Sequence, residues 1–245
     1  QNFSKVFDIK FLDKDEKEKY AWQTSWGLST RTIGAIVMAH GDDKGLILPP
    51  KIAPVQVVIV PIVFKENKEL IISKAKEIMK KLRSKNYDVV LDDRDGYTPG
   101  WKFNEWELKG IPLRIEIGPK DVEAEQLVLA RRDTNEKQTI KTKDLEKKVD
   151  ETLNSIQEYL FKKAKDYLLK SIVEVHNFND FLNAIKNRKM PKALFCGKSE
   201  CEDNIKDKAE GATCRCVPFE QKPTQGKCVQ CDAETKSWAL FAKGY

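Results

Sequence analysis

The stretch VQVVIVPIVF (55–64) decides the fold of the middle of the chain. It is apolar at almost every position, which is typical of a strand buried on both faces of a sheet. A helical stripe of apolar residues follows at 68–86. Three more strands are predicted, at 87–93 (YDVVLDD), 113–118 (LRIEIG) and 126–133 (QLVLARRD). This alternation predicts a small α/β domain with a mixed sheet.

The residues before this domain predict a strand pair, a helix and a linker. Apolar and polar residues alternate at 6–11 and at 20–26, which favours two antiparallel strands. The apolar run 32–40 predicts a buried helix that ends at GDD, and 46–54 predicts the end of a strand and a linker.

After the domain, residues 145–167 carry an amphipathic helical stripe, and NFNDFLNAIKNRK (177–189) predicts a shorter helix capped by Asn179 or Asp180. The sequence thus divides into four parts: 1–54, 55–145, 146–190 and 191–245.

Composition narrows the class of protein. The 245 residues are 40% hydrophobic, which excludes a disordered chain, and no stretch approaches the roughly 18 apolar residues of a membrane helix. The start, QNFSKVFDIK, has neither a secretory apolar core nor an initiator Met. We therefore expect a cytoplasmic protein whose N-terminus lies further upstream. The net charge of +6 permits a nucleic-acid partner without requiring one.

All six cysteines lie in the last 50 residues. They form three close groups: Cys196-x4-Cys201, Cys214-x-Cys216 and Cys228-x2-Cys231. Two such pairs supply what a tetrahedral zinc site needs, and four thiolates leave no open position for a catalytic water. We therefore expect a structural zinc ion. Spacing alone leaves the four ligands open, because the alternating thiols of the middle pair would face one side of a strand.

Three motifs in this order resemble one family. SWGLSTRTIGAIVMAHGDDKGLILPP (25–50) resembles the third signature motif of class II aminoacyl-tRNA synthetases in its prolyl form, and GYTPGWKFNEWELKGIPLRIEIGPKDVE (96–123) resembles their anticodon-binding domain. The cysteine-containing tail resembles the zinc-binding C-terminal domain of archaeal and eukaryotic-type prolyl-tRNA synthetases. Threonyl, histidyl and glycyl relatives share such an anticodon domain but not this tail.

The resemblance implies a fold and a reaction. The fold would be the end of an antiparallel-sheet catalytic domain, a mixed-sheet α/β anticodon-binding domain and an α+β zinc-binding domain. The reaction would join proline, ATP with Mg²⁺ and tRNA(Pro) through prolyl-adenylate, in a homodimer. The family's first two motifs would lie before Gln1, so this C-terminal part is expected to be inactive alone. Two alternatives remain open: a non-catalytic tRNA-binding zinc module derived from a synthetase, and a zinc-stabilised interaction protein.

The resemblance also implies roles for residues near the start. Charge develops on phosphate during adenylate formation, so the site needs a fixed cation. Arg31 matches the arginine of the third motif and is the catalytic candidate, since a guanidinium can bind phosphate oxygens bidentately. Ser29 would contact ATP beside it. Trp26 and Gly27 would border the proline pocket, although Trp26 is also interpretable as a core tryptophan.

A second group of residues would read the anticodon. Proline anticodons end in two guanosines, and the Watson–Crick edge of guanine calls for an acidic and a basic group side by side, with an aromatic ring for stacking. The positions that match the family's anticodon contacts are Phe103, Glu107, Arg114, Lys120, Asp121 and Lys137. Such charges also occur as solvated surface pairs.

In the tail, the resemblance implies that Cys196, Cys201, Cys228 and Cys231 bind zinc and that Cys216 does not. It also implies that the C-terminal Tyr245 tucks back towards the catalytic domain.

Overall fold

The computed structural model describes residues 1–64, 66–221 and 224–244, so Tyr245 lies outside the described residues. At the start, helix α1 (Asn2–Val6) precedes an antiparallel hairpin of β1 (Lys10–Leu12) and β2 (Glu18–Tyr20). A strand pair is therefore present, but it is shorter than predicted. Of the predicted first strand (6–11), Val6 ends α1 and only residues 10 and 11 belong to β1. Of the second (20–26), only Tyr20 belongs to β2, and the residues that follow it form a loop.

Helix α2 (Arg31–His40) confirms the predicted helix, but the prediction that it is buried is wrong. None of its ten residues is buried, and Ile33, Val37 and Met38 are exposed. The reason is that no second layer of the described chain packs over this face. The predicted strand end at 46–50 is irregular. The amides of Leu46 and Leu48 nevertheless donate to the carbonyls of Leu108 and Gly110, at 3.0 and 3.1 Å.

The central sheet has five strands in the order β4-β3-β5-β6-β7. Strand β3 lies parallel to β4 and β5, whereas β6 and β7 continue antiparallel, so the predicted mixed sheet is confirmed. Strand β7 was not predicted, because four of its five residues are exposed. In chain order the elements are β3 (Val57–Pro61), α3 (Lys68–Arg83), β4 (Val89–Leu91), α4 (Pro99–Leu108), β5 (Leu113–Ile117), α5 (Pro119–Glu123), β6 (Gln126–Arg131) and β7 (Lys137–Lys141).

A two-residue alternation along each strand divides the sheet into two faces. One face carries Leu113, Ile115 and Ile117 and is covered by α3 and by helix α6 (Leu145–Ser171), which a 3-10 turn connects to β7. The opposite face carries Val58 and Val60 and packs against α4. Helix α4 covers only the β3 side of this opposite face. The other half of the same face is left open.

The long helix α6 is amphipathic as predicted over its first half. Its stripe is buried from Leu145 to Leu160, whereas Tyr167 is exposed. Among the described residues, none of the helices combines the length and the apolar character needed to span a bilayer.

The last part of the chain has its own core, in which Phe181, Phe195 and Phe241 meet edge to face. Its four-stranded sheet has the order β10-β13-β9-β8, beside a hairpin of β11 and β12. The elements are β8 (Ile172–Glu174), α7 (Phe178–Lys186), β9 (Met190–Leu194), α8 (Ser199–Lys208), β10 (Ala212–Cys216), β11 (Gly226–Lys227), β12 (Glu234–Thr235) and β13 (Trp238–Lys243). This unit begins at Ile172, upstream of the predicted boundary at 190/191.

The predicted cap of α7 is wrong by two or three positions. The Asn177 side chain accepts a hydrogen bond of 2.9 Å from the amide of Asp180 and so caps the helix. Asn179 and Asp180 lie inside the first turn.

Candidate nucleic-acid interface and metal site

The open half of the sheet carries charged side chains where the covered half carries valines. Arg114 and Glu116 alternate along β5 with the core residues Leu113 and Ile115. In the register of the sheet, Ala130 of β6 pairs with both Arg114 and Lys137. The small alanine therefore leaves a depression between two cationic side chains.

Glu116 fixes those two cations. Its side chain is 8% exposed; it accepts hydrogen bonds from Arg114 Nε at 3.1 Å and Nη2 at 2.9 Å, and from Lys137 Nζ at 2.9 Å. A buried carboxylate needs such partners to offset its lost hydration. Arg114 and Lys137 are thus held in place.

The ring of Phe103, from α4, lies beside the same cations. The Arg114 guanidinium carbon is 4.2 Å from the ring centroid, and Lys137 Nζ is 5.5 Å from it, which are cation–π distances. Three of the residues that the resemblance assigned to the anticodon therefore lie together, Lys137 included.

Glu107, one turn further along α4, lines a cavity of about 200 Å³ next to this cluster. That volume is below the roughly 300 Å³ of pockets that enclose a whole small molecule. The cavity therefore suits one part of a larger ligand. Its basic lining residues are Lys44, Arg114, Arg131, Arg132 and Lys137.

Lys120 and Asp121 lie elsewhere. They belong to α5, beyond the far end of β5, and Gly118 is already roughly 13 Å along the strand from Arg114. Asp121 Oδ2 accepts from the amide of Gly118 at 2.9 Å, which caps α5. The structure thus gives Asp121 a local structural task and does not bring these two residues to the cavity.

The edge of the cavity is formed by the short hairpin 42–45, which follows α2. Buried Arg132 donates from Nη1 and Nη2 to the two carboxylate oxygens of Asp42, at 2.9 and 2.6 Å, and from Nε to the carbonyl of Glu107 at 2.9 Å. The hydrogen bonds from Arg132 lower the pKa of Asp42 to about 2. The N-terminal segment is thereby joined to α4.

Behind α4, the carboxylate of Asp92 is fully buried at the end of β4. Burial would raise its pKa, but hydrogen bonds from Arg94 and Trp106 and the charge of Lys102 lower it to about 2. Trp106 Nε1 donates to Asp92 Oδ2 at 2.8 Å, and Lys102 Nζ donates to the Asp92 carbonyl at 3.0 Å. Because Trp106 and Lys102 both belong to α4, this network sets the orientation of the helix that carries Phe103 and Glu107.

Sequence reasoning missed Lys44, Glu116, Arg131 and Arg132. Of these four, only Glu116 could have been found from a sequence pattern, because the period-two alternation in LRIEI places it on the same face of the strand as Arg114. The others reach the cavity through tertiary contacts.

The residues assigned to ATP and proline lie just before α2 and at its first position. Arg31 is the first residue of α2, and the Ser29 carbonyl accepts from the amide of Thr32 at 3.1 Å. Trp26 is 95% exposed, so it is not a core tryptophan of the described chain. A Cβ added at Gly27 would meet nothing within 4 Å. The four residues lie close together in the chain, on an open surface.

Four cysteines converge between β9, α8 and the β11–β12 hairpin. The Sγ atoms of Cys196, Cys201, Cys228 and Cys231 lie within 4.8 Å of one another, and Cys196 and Cys231 are 3.8 Å apart. Four thiolates at about 2.3 Å from a tetrahedral zinc ion would be about 3.8 Å apart, so the donor set fits this metal. Cys214 and Cys216 lie on β10, outside the group.

Comparison with known proteins agrees with this geometry. Residues 56–152, which include the open sheet face and the cavity, match the family described as "Anticodon binding domain". The chain therefore carries a domain of the class that binds tRNA anticodons. Residues 178–245 match the family described as "Prolyl-tRNA synthetase, C-terminal". Residues 56–152 and 178–245 are thus similar, in this order, to an anticodon-binding domain and to the C-terminal part of prolyl-tRNA synthetases.

Curated relatives match along the whole chain. It is 44% identical over 248 residues to "Proline--tRNA ligase" of Natranaerobius thermophilus, covering 100% of this chain and 51% of that protein. It is 46% identical over 244 residues to the ligase of the same name from Lachnoclostridium phytofermentans, covering 99% of this chain and 50% of the relative. It is 46% identical over 245 residues to "Proline--tRNA ligase 2" of Bacillus cereus, and the match covers 100% of this chain and 50% of that protein. The chain spans about half the length of these relatives.

Proposed function

We propose that this chain is the C-terminal part of a proline–tRNA ligase, which attaches proline to tRNA(Pro) through prolyl-adenylate with ATP and Mg²⁺. The observation that carries the proposal is the 44–46% identity to proline–tRNA ligases along essentially the whole chain. The exposed apolar face of α2 supports it, because a longer enzyme would cover that face. The active form is proposed to be a cytoplasmic homodimer.

The tRNA-binding part of the proposal rests on the cavity beside α4. Phe103 offers a ring for stacking, Glu107 an acceptor, and Arg114 and Lys137 fixed donors. Guanine presents an acceptor next to two donors, so this set is complementary to it. Lys120 and Asp121 stay within the proposal as contacts to a neighbouring nucleotide, since the bound strand extends beyond one cavity.

The catalytic part is assigned to the segment before and at the start of α2. Arg31 would neutralise charge on the ATP phosphates and Ser29 would contact the nucleotide, while Trp26 and Gly27 would border the proline pocket. Their exposure supports this, because Arg31 carries a cation that is open to an incoming ligand.

The metal site is proposed to hold a structural zinc ion on Cys196, Cys201, Cys228 and Cys231. Zinc would tie the start of α8 to the β11–β12 hairpin. The tail is proposed to be of the archaeal and eukaryotic type, on the pattern of its cysteines, although the relatives named above are bacterial. The proposed domains are a catalytic end (1–54), an anticodon-binding domain (55–145), a helical connection (146–190) and a zinc-binding domain (191–245). The last part of the connection, β8 and α7, packs in the sheet and core of the zinc-binding domain.

The experiment that tests the function is a binding titration at fixed, near-physiological salt. The full chain is titrated with tRNA(Pro) and with the same tRNA whose two anticodon guanosines are replaced by adenosines. We expect a preference of about tenfold or more, since each lost base contact costs roughly 1–3 kcal/mol. Equal binding of both RNAs would remove the anticodon role. A second measurement is aminoacylation of tRNA(Pro) by the full-length protein. If the chain prefers the guanosines but the full-length protein does not attach proline, the chain would be a non-catalytic binding module.

A further inference from the structure

Lys44 and Glu107 form an ion pair in the lining of the cavity. Lys44 Nζ is 3.1 Å from Glu107 Oε1, and the Lys44 side chain is 57% exposed. Lys44 belongs to the hairpin after α2, outside the segment that matches the anticodon-binding family. It is therefore a residue that the family comparison does not assign to the cavity.

The backbone of Lys44 is rigidly held. Asp42 and Gly45 exchange two backbone hydrogen bonds of 3.1 Å around it, and the next amide, that of Leu46, donates to the carbonyl of Leu108. Gly45 has a φ of +133°, and a Cβ there would lie 2.6 Å from the Leu108 carbonyl oxygen. Only glycine permits so close an approach. Lys44 is thus fixed next to the last turn of α4, where Glu107 lies.

Two other cations in the lining of the cavity already have a carboxylate partner. Arg114 and Lys137 both donate to the buried carboxylate of Glu116. Lys44 differs from them, because its side chain is more than half exposed and its ion pair is with one carboxylate oxygen of Glu107, whose side chain is half-buried and has a second oxygen. An acceptor and a donor about 3 Å apart therefore line the same cavity.

We propose that Lys44 and Glu107 together read the Watson–Crick edge of an anticodon guanine, an assignment that rests on the proposed function. The Glu107 carboxylate accepts from guanine N1–H and N2–H, and the Lys44 ammonium donates to O6. Guanine places O6 directly beside N1–H, which matches the adjacent cation and carboxylate. Adenine reverses this pattern, so its amine would face the ammonium and its N1 lone pair would face the carboxylate. Leaving such groups unpaired is costly, and the pair therefore determines specificity.

The test isolates the O6 contact. The full chain is titrated with the anticodon stem–loop RNA of tRNA(Pro), in which each guanosine is replaced in turn by 6-thioguanosine, whose sulfur is a poorer acceptor while both donors remain. Wild type should bind the thio RNA about five- to tenfold more weakly at one position. Lys44→Met should bind guanosine and 6-thioguanosine equally. Lys76→Met, the same change on the exposed side of α3, should keep the wild-type preference.

Each contrary outcome overturns a different statement. If wild type does not distinguish guanosine from adenosine, the proposed function fails and this inference fails with it. If wild type distinguishes them but Lys44→Met keeps its preference for guanosine over 6-thioguanosine, only the role of Lys44 is wrong. A uniform loss of affinity for every RNA would make Lys44 a phosphate contact instead. Lys44→Arg, which keeps the donor, should retain the preference, and an unchanged thermal unfolding midpoint verifies that the variants fold.

Discussion

Arg132 binds both carboxylate oxygens of Asp42, at 2.6 and 2.9 Å, although the two residues are 90 positions apart in the chain. The arginine is almost completely buried, and the aspartate belongs to the hairpin that follows α2. This ion pair joins the N-terminal segment to the anticodon-binding domain. Without Asp42, the guanidinium would keep only the Glu107 carbonyl as its partner among the contacts described above.

Replacing Asp42 by Asn should therefore destabilise the chain. We expect the free energy of unfolding to fall by about 1–2 kcal/mol, less than for a fully buried pair because Asp42 is partly solvated. Urea denaturation measures this loss. Asp43→Asn, at an exposed neighbour, is the control and should change stability little. If both variants lost the same free energy of unfolding, the ion pair would not be what stabilises the contact between the N-terminal segment and the following domain.

Asp92 should make stability depend on acid. Its pKa is about 2 in the fold and about 3.9 in an unfolded chain. The stabilisation is thus present above about pH 4 and is lost as the pH falls through about 2, amounting to roughly 2–3 kcal/mol. Unfolding free energies measured between pH 6 and pH 2 give this dependence.

Asp92→Asn should remove part of that acid dependence and should itself cost about 3 kcal/mol, because buried Lys102 loses its counter-charge. The exposed Asp93→Asn should leave the pH profile of wild type intact. An unaltered profile in the Asp92 variant would assign the acid sensitivity to other carboxylates.

Two glycines should respond to alanine with opposite signs. Gly45→Ala places a Cβ against the Leu108 carbonyl at a left-handed φ, so we expect a loss of about 2 kcal/mol or more. Gly34 lies inside α2 with nothing within 4 Å of an added Cβ, and Gly34→Ala should stabilise the chain by roughly 0.5–1 kcal/mol. Thermal unfolding of the two variants compares them directly. A neutral Gly45→Ala would mean that the hairpin can move away from α4.

The metal site predicts selective zinc loss. Cys228→Ser should release the ion, whereas Cys216→Ser should retain it, since Cys228 belongs to the group of four converging cysteines and Cys216 does not. Zinc content measured by atomic absorption distinguishes the two variants.

Hydrogen exchange should then increase most in the β11–β12 hairpin and around Cys201. It should increase least in α7, which Phe181 anchors in the apolar core. Stoichiometric zinc in the Cys228 variant would implicate the Cys214–Cys216 pair instead.

Arg31→Ala tests the proposed catalytic end in the full-length enzyme. Removing a phosphate-binding cation should slow ATP–pyrophosphate exchange on the order of 10²-fold or more. tRNA binding should be unaffected, because the cavity proposed to bind the anticodon belongs to a different part of the chain. Unchanged exchange would refute the phosphate role of Arg31.

The sequence was sufficient for the elements whose burial pattern is periodic. Strand β3 and the first half of α6 follow from their apolar residues, because both bury a regular stripe. Strand β7 could not be predicted in this way, because Ile140 is its one buried residue. Its backbone pairing with β6 places it in the sheet instead. The exposure of α2 could not be predicted either, because burial depends on what else packs there.

The site shows the same division. Local spacing places Phe103 and Glu107 on one side of α4, and the resemblance adds Arg114. Lys44 and Arg132 could not be found this way, because their partners are 63 and 90 residues away in sequence. Asp121 illustrates the reverse case, in which a residue in the right motif is occupied by capping a short helix.

The single uninterrupted helix α6 has a mechanical consequence. Its 27 residues make a rod about 40 Å long that leads from the central sheet to the C-terminal unit. One inserted residue would advance the distal unit by about 1.5 Å but swing it by about 100° around the rod. Insertions of seven residues would lengthen the rod by about 10 Å while nearly restoring the original orientation. Natural length variation in this helix should therefore occur in steps of whole turns.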